Sequence, residues 1–337
     1  MEMFNNKVIL VTGGTGSFGK KFTEYVLKNY NPKKLIIFSR DELKQFEMQQ
    51  VFGDDKYPAI RYFLGDIRDK DRLYRAFEDV DVVVHAAALK QVPALEYNPF
   101  EAVQTNIIGA QNIISAAIDK GVKKVIALSS DKAVVPVNLY GATKLCMEKL
   151  FVAANALAGT HVTRFSVVRY GNVIGSRGSV IPVFLRQKVD GRFTVTDDRM
   201  TRFWITLERG IALVIKGLEV MKGGEIFIPK LPSARILDVC LAISPECEIA
   251  VTGIRPGEKL HETLISVDEA RYAYDAGNYY ILYLPASGIE NDTYLGETVP
   301  EGFVYSSENN DRWLSVSDIR SIIDAQKVNM GLQVQKV

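Results

Sequence analysis

The sequence is poor in the residues that build metal centres and disulfide frameworks. Its 337 residues include three cysteines and three histidines. Cys146, Cys240 and Cys247 have neither zinc-site nor redox-motif spacing, so we expect reduced thiols that are buried or half-buried, as in a cytoplasmic protein. The histidines are scattered along the chain and form no metal-binding pattern, so no metal is expected.

An excess of charge of one sign and long apolar runs are also absent. Lysine and arginine total 41 against 40 for aspartate and glutamate, which leaves a formal net charge of +1. Such a balance creates no overall field that would attract nucleic acid or a membrane surface. No apolar run has the length of a membrane span, and the N-terminal residues lack a signal core. We therefore expect a cytoplasmic protein that binds neither nucleic acid nor membranes.

What the sequence does contain is a regular alternation of apolar strands and helix-like segments. The predicted strands are Val8–Val11, Leu35–Phe38, Ile60–Phe63, Val82–Val84, Val125–Leu128 and Phe165–Tyr170. The predicted helices are Gly19–Asn29, Asp69–Phe77, Ala102–Lys120, Tyr140–Ala156 and Leu207–Leu218. Near-continuous apolar strands are typical of a parallel sheet that is buried on both faces. Their alternation with helices predicts an α/β fold with a doubly wound parallel sheet.

A glycine-rich loop follows the first predicted strand. Gly13, Gly16 and Gly19 recur at every third position of the segment Thr12–Gly19. A tight strand-to-helix turn needs positive φ, and close approach of the backbone to a pyrophosphate leaves no room for a Cβ atom. The helix that follows presents free N–H groups to the anion, so the loop predicts a dinucleotide site. Its further members are Thr15, Ser17 and Phe18.

The residues after the second and third strands bear on which dinucleotide binds. Ser39 and Arg40 stand where NAD-specific proteins usually place an acidic residue, and a hydroxyl and a guanidinium suit a 2′-phosphate. We therefore expect NADP rather than NAD, with Arg40 as an ordinary surface residue as the alternative. Asp66, with Ile67 next to it, is expected beside the adenine, unless the aspartate only closes a turn.

The rhythm of the sequence changes after Gly171, where turns become frequent. We predict that residues 1–172, together with about 203–230, form an NADP-binding Rossmann domain. Residues 173–202 and 231–337 would form a smaller C-terminal substrate-binding lobe. The boundary is discontinuous because the helix at Leu207–Leu218 is expected to return to the first domain.

Two groups of reactive residues follow the fifth strand. Ser130, Asp131 and Lys132 come directly after it, and Tyr140 precedes Lys144 by one helical turn. Side chains four residues apart lie on one face of a helix. We expect the Lys144 ammonium to lower the pKa of the Tyr140 phenol and to hold the nicotinamide ribose. Tyr140 could then act as a base toward a sugar hydroxyl.

With these motifs the sequence resembles the extended short-chain dehydrogenase/reductase family over nearly its whole length. Further segments that fit the family pattern are His85–Ala88, Asn106, Arg169–Val173 and Arg255–Lys259. The resemblance implies that Ala86 and Ala87 line the cofactor site. It also implies a homo-oligomer, either a dimer or a larger assembly such as a hexamer.

Asp131 and Lys132 narrow the resemblance further. Sugar 4-epimerases of this family have no acid and base pair at this position, and the common dTDP- and GDP-sugar dehydratases have Asp-Glu. The Asp-Lys pair is similar to that of the inverting UDP-N-acetylglucosamine 4,6-dehydratases, which supply pseudaminic acid and related pathways in bacteria. The resemblance implies that UDP-N-acetylglucosamine is the substrate.

The resemblance also implies a reaction. Tyr140 would accept the O4 proton, Lys132 would remove the C5 proton of the resulting 4-ketone, and Asp131 would protonate the departing 6-hydroxyl. This requires a neutral Lys132 and a protonated Asp131, and we expect Lys144 and the oxidised nicotinamide to lower the pKa of Lys132. We also expect the adjacent side chains at a strand end to point apart, with an Asp131–Lys132 salt bridge as the alternative.

A UDP-sugar needs cations for its diphosphate and polar groups for its uridine. The candidates, which the resemblance supports, are Lys90, Asn172, Arg177, Arg202, Arg255 and Glu258. Asn172 and Arg255 would lie near the diphosphate, and Glu258 would lie near the uridine ribose.

Two other functions stay open at this point. A 4- or 5-epimerase, or a related sugar reductase, would use Tyr140 and Lys144 but not the Asp131–Lys132 pair. A non-catalytic dinucleotide-binding protein would normally have lost the tyrosine or the lysine, and both are present.

Overall fold

The computed structural model describes residues 3–175, 179–287 and 295–327, and in these ranges a ten-stranded sheet forms the centre of the molecule. The strands are β1 (Val8–Thr12), β2 (Lys34–Ser39), β3 (Ile60–Leu64), β4 (Val82–His85), β5 (Lys124–Ser130), β6 (Arg164–Tyr170), β7 (Asn172–Val173), β8 (Arg192–Val195), β9 (Thr201–Ile205), β10 (Glu225–Pro229), β11 (Ser233–Arg235), β12 (Glu248–Val251), β13 (Thr263–Ile265), β14 (Ala273–Asp275), β15 (Tyr279–Tyr283), β16 (Glu297–Thr298) and β17 (Tyr305–Ser306).

Helices connect most of these strands. The α-helices are α1 (Ser17–Asn29), α2 (Glu42–Val51), α3 (Lys70–Ala76), α4 (Val92–Tyr97), α5 (Pro99–Ala102), α6 (Gly109–Asp119), α7 (Leu139–Leu157), α8 (Val180–Gln187), α9 (Leu207–Val220), α10 (Ile236–Ile243), α11 (Val267–Ala270) and α12 (Val316–Lys327). A π-helical turn, Val103–Ile108, joins α5 to α6, and 3₁₀ turns lie at Asp131–Ala133, Lys188–Asp190 and Pro285–Ser287.

The large sheet is mostly parallel. Its parallel part has the order β3-β2-β1-β4-β5-β6-β10, and β15, β14 and β16 continue it beyond β10 in antiparallel pairing. β1 is buried along its whole length, as a strand covered on both faces should be. One group of contacting helices contains α1 and α9, and another contains α3, α6 and α7. The predicted doubly wound α/β fold is confirmed.

The six predicted strands correspond to β1–β6, and the five predicted helices are present with ends that differ by a few residues. The helix predicted at Ala102–Lys120 contains the π-helical turn. The sequence does not predict the antiparallel strands β14, β15 and β16, which the structure adds to the large sheet.

Two apolar clusters account for most of the core in the described ranges. The larger follows the main sheet, and the smaller is built from β8, β9, α8, α10 and α12. The predicted division of the chain into domains stays a prediction. β14–β16 lie in the large sheet, although they fall in the range 231–337 that was predicted for the smaller lobe.

A buried ion-pair cluster fastens the second half of the chain to the sheet. Arg169 in β6 is fully buried, and its guanidinium donates to Glu148 in α7 at 2.6 and 3.0 Å. It also donates to Glu269 in α11 at 2.8 and 3.0 Å. These bonds compensate a charge that would otherwise be costly to bury. The cluster therefore holds β6, α7 and α11 together.

The cysteines depart from the prediction at one position. Cys240 is buried and Cys247 is half-buried, but Cys146 is exposed because it faces away from the packed side of α7. All three cysteines are free. No helix within the described ranges is long and apolar enough to cross a membrane.

Candidate active site

A cavity of about 900 Å³ opens along the carboxyl ends of the parallel strands. This edge is where doubly wound sheets bind their ligands. The cavity wall runs from the glycine loop, past the ends of β2, β4, β5 and β6, to residues 255–259 and Glu262. A cavity of this volume is at the upper end of the range for ligand sites and accommodates a large ligand.

The glycine loop forms one end of the cavity. Gly13 has a φ of +64°, and a Cβ atom there would lie 2.8 Å from the backbone of Ala87. A Cβ atom on Gly19 would overlap the backbone of Gly14. Helix α1 begins at Ser17, directly after the loop, so the first N–H groups of the helix are available to an anion. Thr15, Gly16, Ser17 and Phe18 also line the cavity.

Ser39 and Arg40 line the neighbouring part of the wall. The Ser39 hydroxyl accepts a hydrogen bond from Gln45 Nε2 at 3.0 Å. The Arg40 guanidinium is half exposed and lies 3.6 Å from the Asp66 carboxylate. Lys44, which the sequence analysis does not single out, lines the same stretch. Two cations are therefore present where a 2′-phosphate is predicted.

Asp66 closes a turn at the end of β3. Its carboxylate accepts hydrogen bonds from the Arg68 backbone N–H and side chain at 2.8 to 3.0 Å. Burial raises the pKa of Asp66, but the bonds from Arg68 outweigh it and lower the pKa overall. The turn role that was kept as the alternative is therefore present, and Asp66 also lines the cavity beside Ile67. Contact with adenine stays a prediction.

Two buried hydroxyl groups line the cavity beyond the glycine loop. Thr105 Oγ1, in the π-helical turn, and Ser129 Oγ, near the end of β5, have no hydrogen-bond partner among the described residues. Buried hydroxyls without partners are unfavourable, so both groups fit a polar ligand. Ala86 and Ala87 add a wall of small side chains. Together with the glycine loop, these residues fit a dinucleotide.

Tyr140 and Lys144 lie at the start of α7, where both line the cavity and are buried. The Lys144 ammonium donates to the Leu128 carbonyl oxygen at 2.6 Å, and burial lowers the pKa of Lys144 to about 8. Burial raises the pKa of Tyr140, and Lys132 offsets part of this rise. The pKa of Tyr140 is thus raised overall, and a lowering by Lys144 stays a prediction.

Asp131 and Lys132 do not point apart. The 3₁₀ turn at Asp131–Ala133 replaces an extended strand end and brings Lys132 Nζ to 3.1 Å from Asp131 Oδ1. Burial disfavours the charge on Lys132, but Asp131 and Glu262 outweigh it and raise the pKa of Lys132. Both expectations for this pair, diverging side chains and a lowered lysine pKa, are wrong. The salt bridge that was kept as the alternative is present.

Ser130 and Asn172 complete this group. Ser130 Oγ donates to Asp131 Oδ1 at 2.7 Å, and Lys132 Nζ donates to Asn172 Oδ1 at 3.3 Å. Asp131 Oδ2 is buried and has no hydrogen-bond partner in the part of the chain that the structure describes. The turn after β5 thus gathers a hydroxyl, a carboxylate and an amine beside Tyr140.

Glu262 is a member of the site that the sequence analysis misses. Its carboxylate is buried, and Oε1 lies 3.2 Å from Lys132 Nζ. Arg202 and Lys259 approach the same carboxylate within 3.9 and 3.8 Å. It lies three residues beyond the family-like segment Arg255–Lys259, and this closeness is the signal that could have indicated it.

Five of the six predicted substrate residues line the same cavity, namely Lys90, Asn172, Arg202, Arg255 and Glu258. Arg177 lies outside the described residues. The guanidinium of Arg202 donates to the backbone carbonyls of Thr201, Lys259 and Leu260 at 2.7 to 3.0 Å. Arg202 therefore braces the segment around Lys259, and the substrate roles of all six residues stay predictions.

The segment 255–262 is tied to the turn that carries the reactive residues. Asn138, the N-cap of α7, donates to the Gly257 carbonyl oxygen at 2.7 Å and accepts from the Gly141 N–H at 2.8 Å. Lys259 Nζ donates to the Val134 carbonyl oxygen at 2.5 Å. The predicted substrate segment and the start of α7 therefore form one connected framework.

Comparison with known proteins places this site in a family. Residues 9–284 match a family described as polysaccharide biosynthesis protein. The chain belongs to this family. A similar curated protein is the UDP-N-acetylglucosamine 4,6-dehydratase (inverting) of Campylobacter jejuni subsp. jejuni serotype O:2, which is 54% identical over 332 residues. The match covers 96% of this chain and 98% of that protein, and it confirms the resemblance to the inverting dehydratases.

Another relative carries a different activity. A UDP-glucose 4-epimerase of Rickettsia bellii is 40% identical over 332 residues, which cover 95% of this chain and 96% of that protein. The X-ray structure of Pen from Bacillus thuringiensis is 42% identical, with a TM-score of 0.88, and covers 96% of this chain and 99% of that chain. Relatives with one fold thus differ in reaction, so the function must be argued from the site.

Proposed function

We propose that the protein is an NADP-dependent, inverting UDP-N-acetylglucosamine 4,6-dehydratase. The product would be UDP-2-acetamido-2,6-dideoxy-β-L-arabino-hexos-4-ulose, for use in pseudaminic acid or related amino-sugar synthesis. The observation that carries the proposal is the position of Lys132 on the cavity wall beside Tyr140, with Asp131 bonded behind it. The high identity to a curated dehydratase of this kind supports it.

The first step is loss of hydrogen from C4 and O4 of the sugar. When bound, NADP supplies the hydride acceptor that takes hydrogen from C4 and returns it to C6. Tyr140 accepts the O4 proton. Burial opposes the phenolate form of Tyr140, so the positive charge of Lys132, which lowers the phenol pKa, favours this transfer.

The elimination step uses Lys132 and Asp131. Their 3.1 Å separation permits a direct proton transfer, which converts the ion pair into a neutral amine and a carboxylic acid. The amine then takes the C5 proton, while Asp131 protonates the departing 6-hydroxyl, so water leaves and the ion pair is restored. As the hydride returns to C6, solvent would deliver one proton to C5 on the opposite face, which inverts that centre, and Tyr140 would release the O4 proton to solvent.

A 4-epimerase is the second candidate, because a UDP-glucose 4-epimerase is among the relatives. An epimerase needs a base at O4 but no acid at O6. In an epimerase, Lys132 and Asp131 would have no role in the reaction, although both side chains are held beside Tyr140. The dehydratase accounts for all three groups.

We also propose a homo-oligomer. The side chains of Tyr97 and Phe100, which follow each other closely in α4 and α5, are 87% and 66% exposed. Exposed aromatic side chains of this kind favour self-association.

The proposal is tested by incubating the protein with UDP-N-acetylglucosamine and NADP, followed by mass spectrometry. We expect a product that is lighter by one water. Lys132→Ala should abolish it while NADP still binds, because Lys132 supplies the base and is not part of the glycine loop. Lys216→Ala, which changes an exposed lysine of α9, is the matched control. A sugar nucleotide of unchanged mass would support the epimerase instead, and full turnover by Lys132→Ala would remove Lys132 from the chemistry.

A further inference from the structure

The amino group of Lys132 has three acceptors around it. Asp131 Oδ1 lies at 3.1 Å, Glu262 Oε1 at 3.2 Å and Asn172 Oδ1 at 3.3 Å. The contacts with Asp131 and Asn172 are hydrogen bonds, and the contact with Glu262 is an ion pair. The proposed reaction gives a task to Asp131 but none to Glu262.

Glu262 is held firmly in place. It directly precedes β13, its backbone N–H donates to Ser307 Oγ at 2.9 Å, and the Ser307 N–H donates to its carbonyl oxygen at 2.8 Å. Its Oε2 atom is buried and has no hydrogen-bond partner among the residues that the structure describes. A fixed, incompletely satisfied carboxylate interacts strongly with the cation it faces.

We propose that Glu262 is a positioning residue for Lys132, which holds the amino group over the cavity and retains its proton until the 4-ketone forms. The inference rests on the proposed function, since it assigns Lys132 the C5 proton. Glu262 itself touches neither the sugar nor the cofactor in this account. Its carboxylate acts through the 3.2 Å contact with Lys132.

The charges around Lys132 show what the loss of Glu262 would do. The titratable and charged groups that face its amino group are Asp131, Glu262, Arg202, Lys259, Lys90 and Tyr140. Two of these are carboxylates and three are cations. Removal of the Glu262 charge leaves Asp131 alone against three cations, so Lys132 should lose its proton more readily.

The most direct test measures the proton affinity of Lys132 without using turnover. Trace acetic anhydride acetylates only neutral amines, and mass spectrometry of the Lys132 peptide across a pH series gives the rate for that residue. In Glu262→Gln we expect the rate below the titration midpoint to rise at least about tenfold, which corresponds to one unit of pKa. Glu262→Asp keeps the charge and should stay within about threefold of the unchanged protein.

Two controls separate this effect from a change in folding or access. Glu308→Gln changes the carboxylate that pairs with His261, next to Glu262, and should leave the Lys132 rate unchanged. The exposed Lys216 serves as an internal reference within each protein. If the reagent reaches Lys132 more or less easily, the highest acetylation rate in the pH series changes. If the proton affinity of Lys132 changes, the pH at half of that highest rate changes.

Turnover gives the second measurement. We expect Glu262→Gln to lower kcat at least about tenfold while KM stays within about twofold, because the amine is misplaced for the C5 proton but the substrate still binds. Glu262→Asp should recover part of kcat. An unchanged acetylation midpoint in folded Glu262→Gln would overturn the inference. If the protein without substitutions removes no water from the sugar, the proposed function is overturned instead. The acetylation result would still decide the role of Glu262.

Discussion

At the scale of single residues, the charged side chains around Lys132 form ion pairs rather than acting as free acids and bases. Lys132 is paired with Asp131 and Glu262, and its pKa is raised even though burial opposes the charge. Lys144 has no carboxylate within salt-bridge distance in the described ranges, and burial lowers its pKa to about 8. Two lysines near one tyrosine thus hold protons with different affinities, as a sequence of proton transfers requires.

Arg40 should decide the preference for NADP. Arg40→Ala removes a guanidinium that can pair with the 2′-phosphate, so we expect the Kd for NADP to rise about tenfold. The Kd for NAD should change by less than about twofold, since NAD lacks that phosphate. Titration calorimetry with both dinucleotides measures this. Arg75→Ala, at an exposed position of α3, is the matched control, and tighter binding of NAD than NADP by the unchanged protein would refute the preference.

Residue identities could be predicted from the sequence, but their contacts could not. Tyr140, Lys132 and Asp131 follow from motif spacing after the fifth strand. The Asp131–Lys132 contact depends on a 3₁₀ turn, in which neighbouring side chains can meet, and the prediction assumed an extended strand end. Glu262 joins them through a fold contact between distant parts of the chain, which spacing does not reveal.

At the scale of elements, the site depends on how closely α7 packs against the 3₁₀ turn. Gly141 sits next to Tyr140, and a Cβ atom there would overlap the carbonyl oxygen of Lys132. The absence of a side chain at Gly141 therefore sets the distance between the phenol and the amine.

Gly141→Ala should separate these two groups. We expect kcat to fall about a hundredfold, because a displacement of about 1 Å is enough to disrupt a reacting geometry. NADP binding should change little, since the glycine loop is elsewhere. Stopped assays of product and calorimetry of NADP measure both. Gly210→Ala in α9, where the nearest atom to a new Cβ is 3.9 Å away, is the control, and equal kcat values for the two variants would contradict this packing argument.

The strands that could be predicted are those whose burial pattern is visible in the residues of the strand itself. β1 and β2 are apolar runs because helices cover both faces, so composition alone indicates them. β14 and β15 are three and five residues long and only partly buried. Their place in the sheet is fixed by pairing, of β15 with β10 and of β14 with β15. Such pairing between distant segments leaves no periodic signal of its own.

At the scale of the whole molecule, the stability of the sheet should depend on the charge state of one histidine. His85, at the end of β4, is buried, stacks on Phe151 and shares a 2.7 Å hydrogen bond with Thr12 Oγ1. Burial, with a smaller contribution from Lys144, lowers the pKa of His85 to about 3.

The sign of the pH effect follows from that shift. His85 stays neutral in the folded protein, whereas its unfolded form gains a proton near its ordinary pKa of 6.5, so its contribution is present above that pH and is lost as the pH falls. Between pH 7.5 and 5.5 we expect the free energy of unfolding to fall by about 1 kcal/mol from this residue. Urea titrations of the unchanged protein and His85→Asn measure it. An equal pH slope in both proteins would contradict the assignment.

Both halves of the chain contribute residues to the site. The strand ends of the first half supply the predicted cofactor residues, and the segment 255–262 from the second half supplies Glu262 and the predicted uridine contacts. The parallel sheet could be predicted because it repeats one simple unit. The way in which the second half folds back over it could not, because Arg169, Glu269 and Asn138 fix it through contacts between distant residues.

The central claim is that Lys132, Asp131 and Tyr140 act together on carbons 4, 5 and 6 of one sugar. The reaction in deuterated water, followed by proton NMR, tests it most directly. We predict a 4-keto-6-deoxy product with deuterium at C5 and the inverted configuration at that carbon. A product that retains the 6-hydroxyl and differs from the substrate only at C4 would contradict the claim.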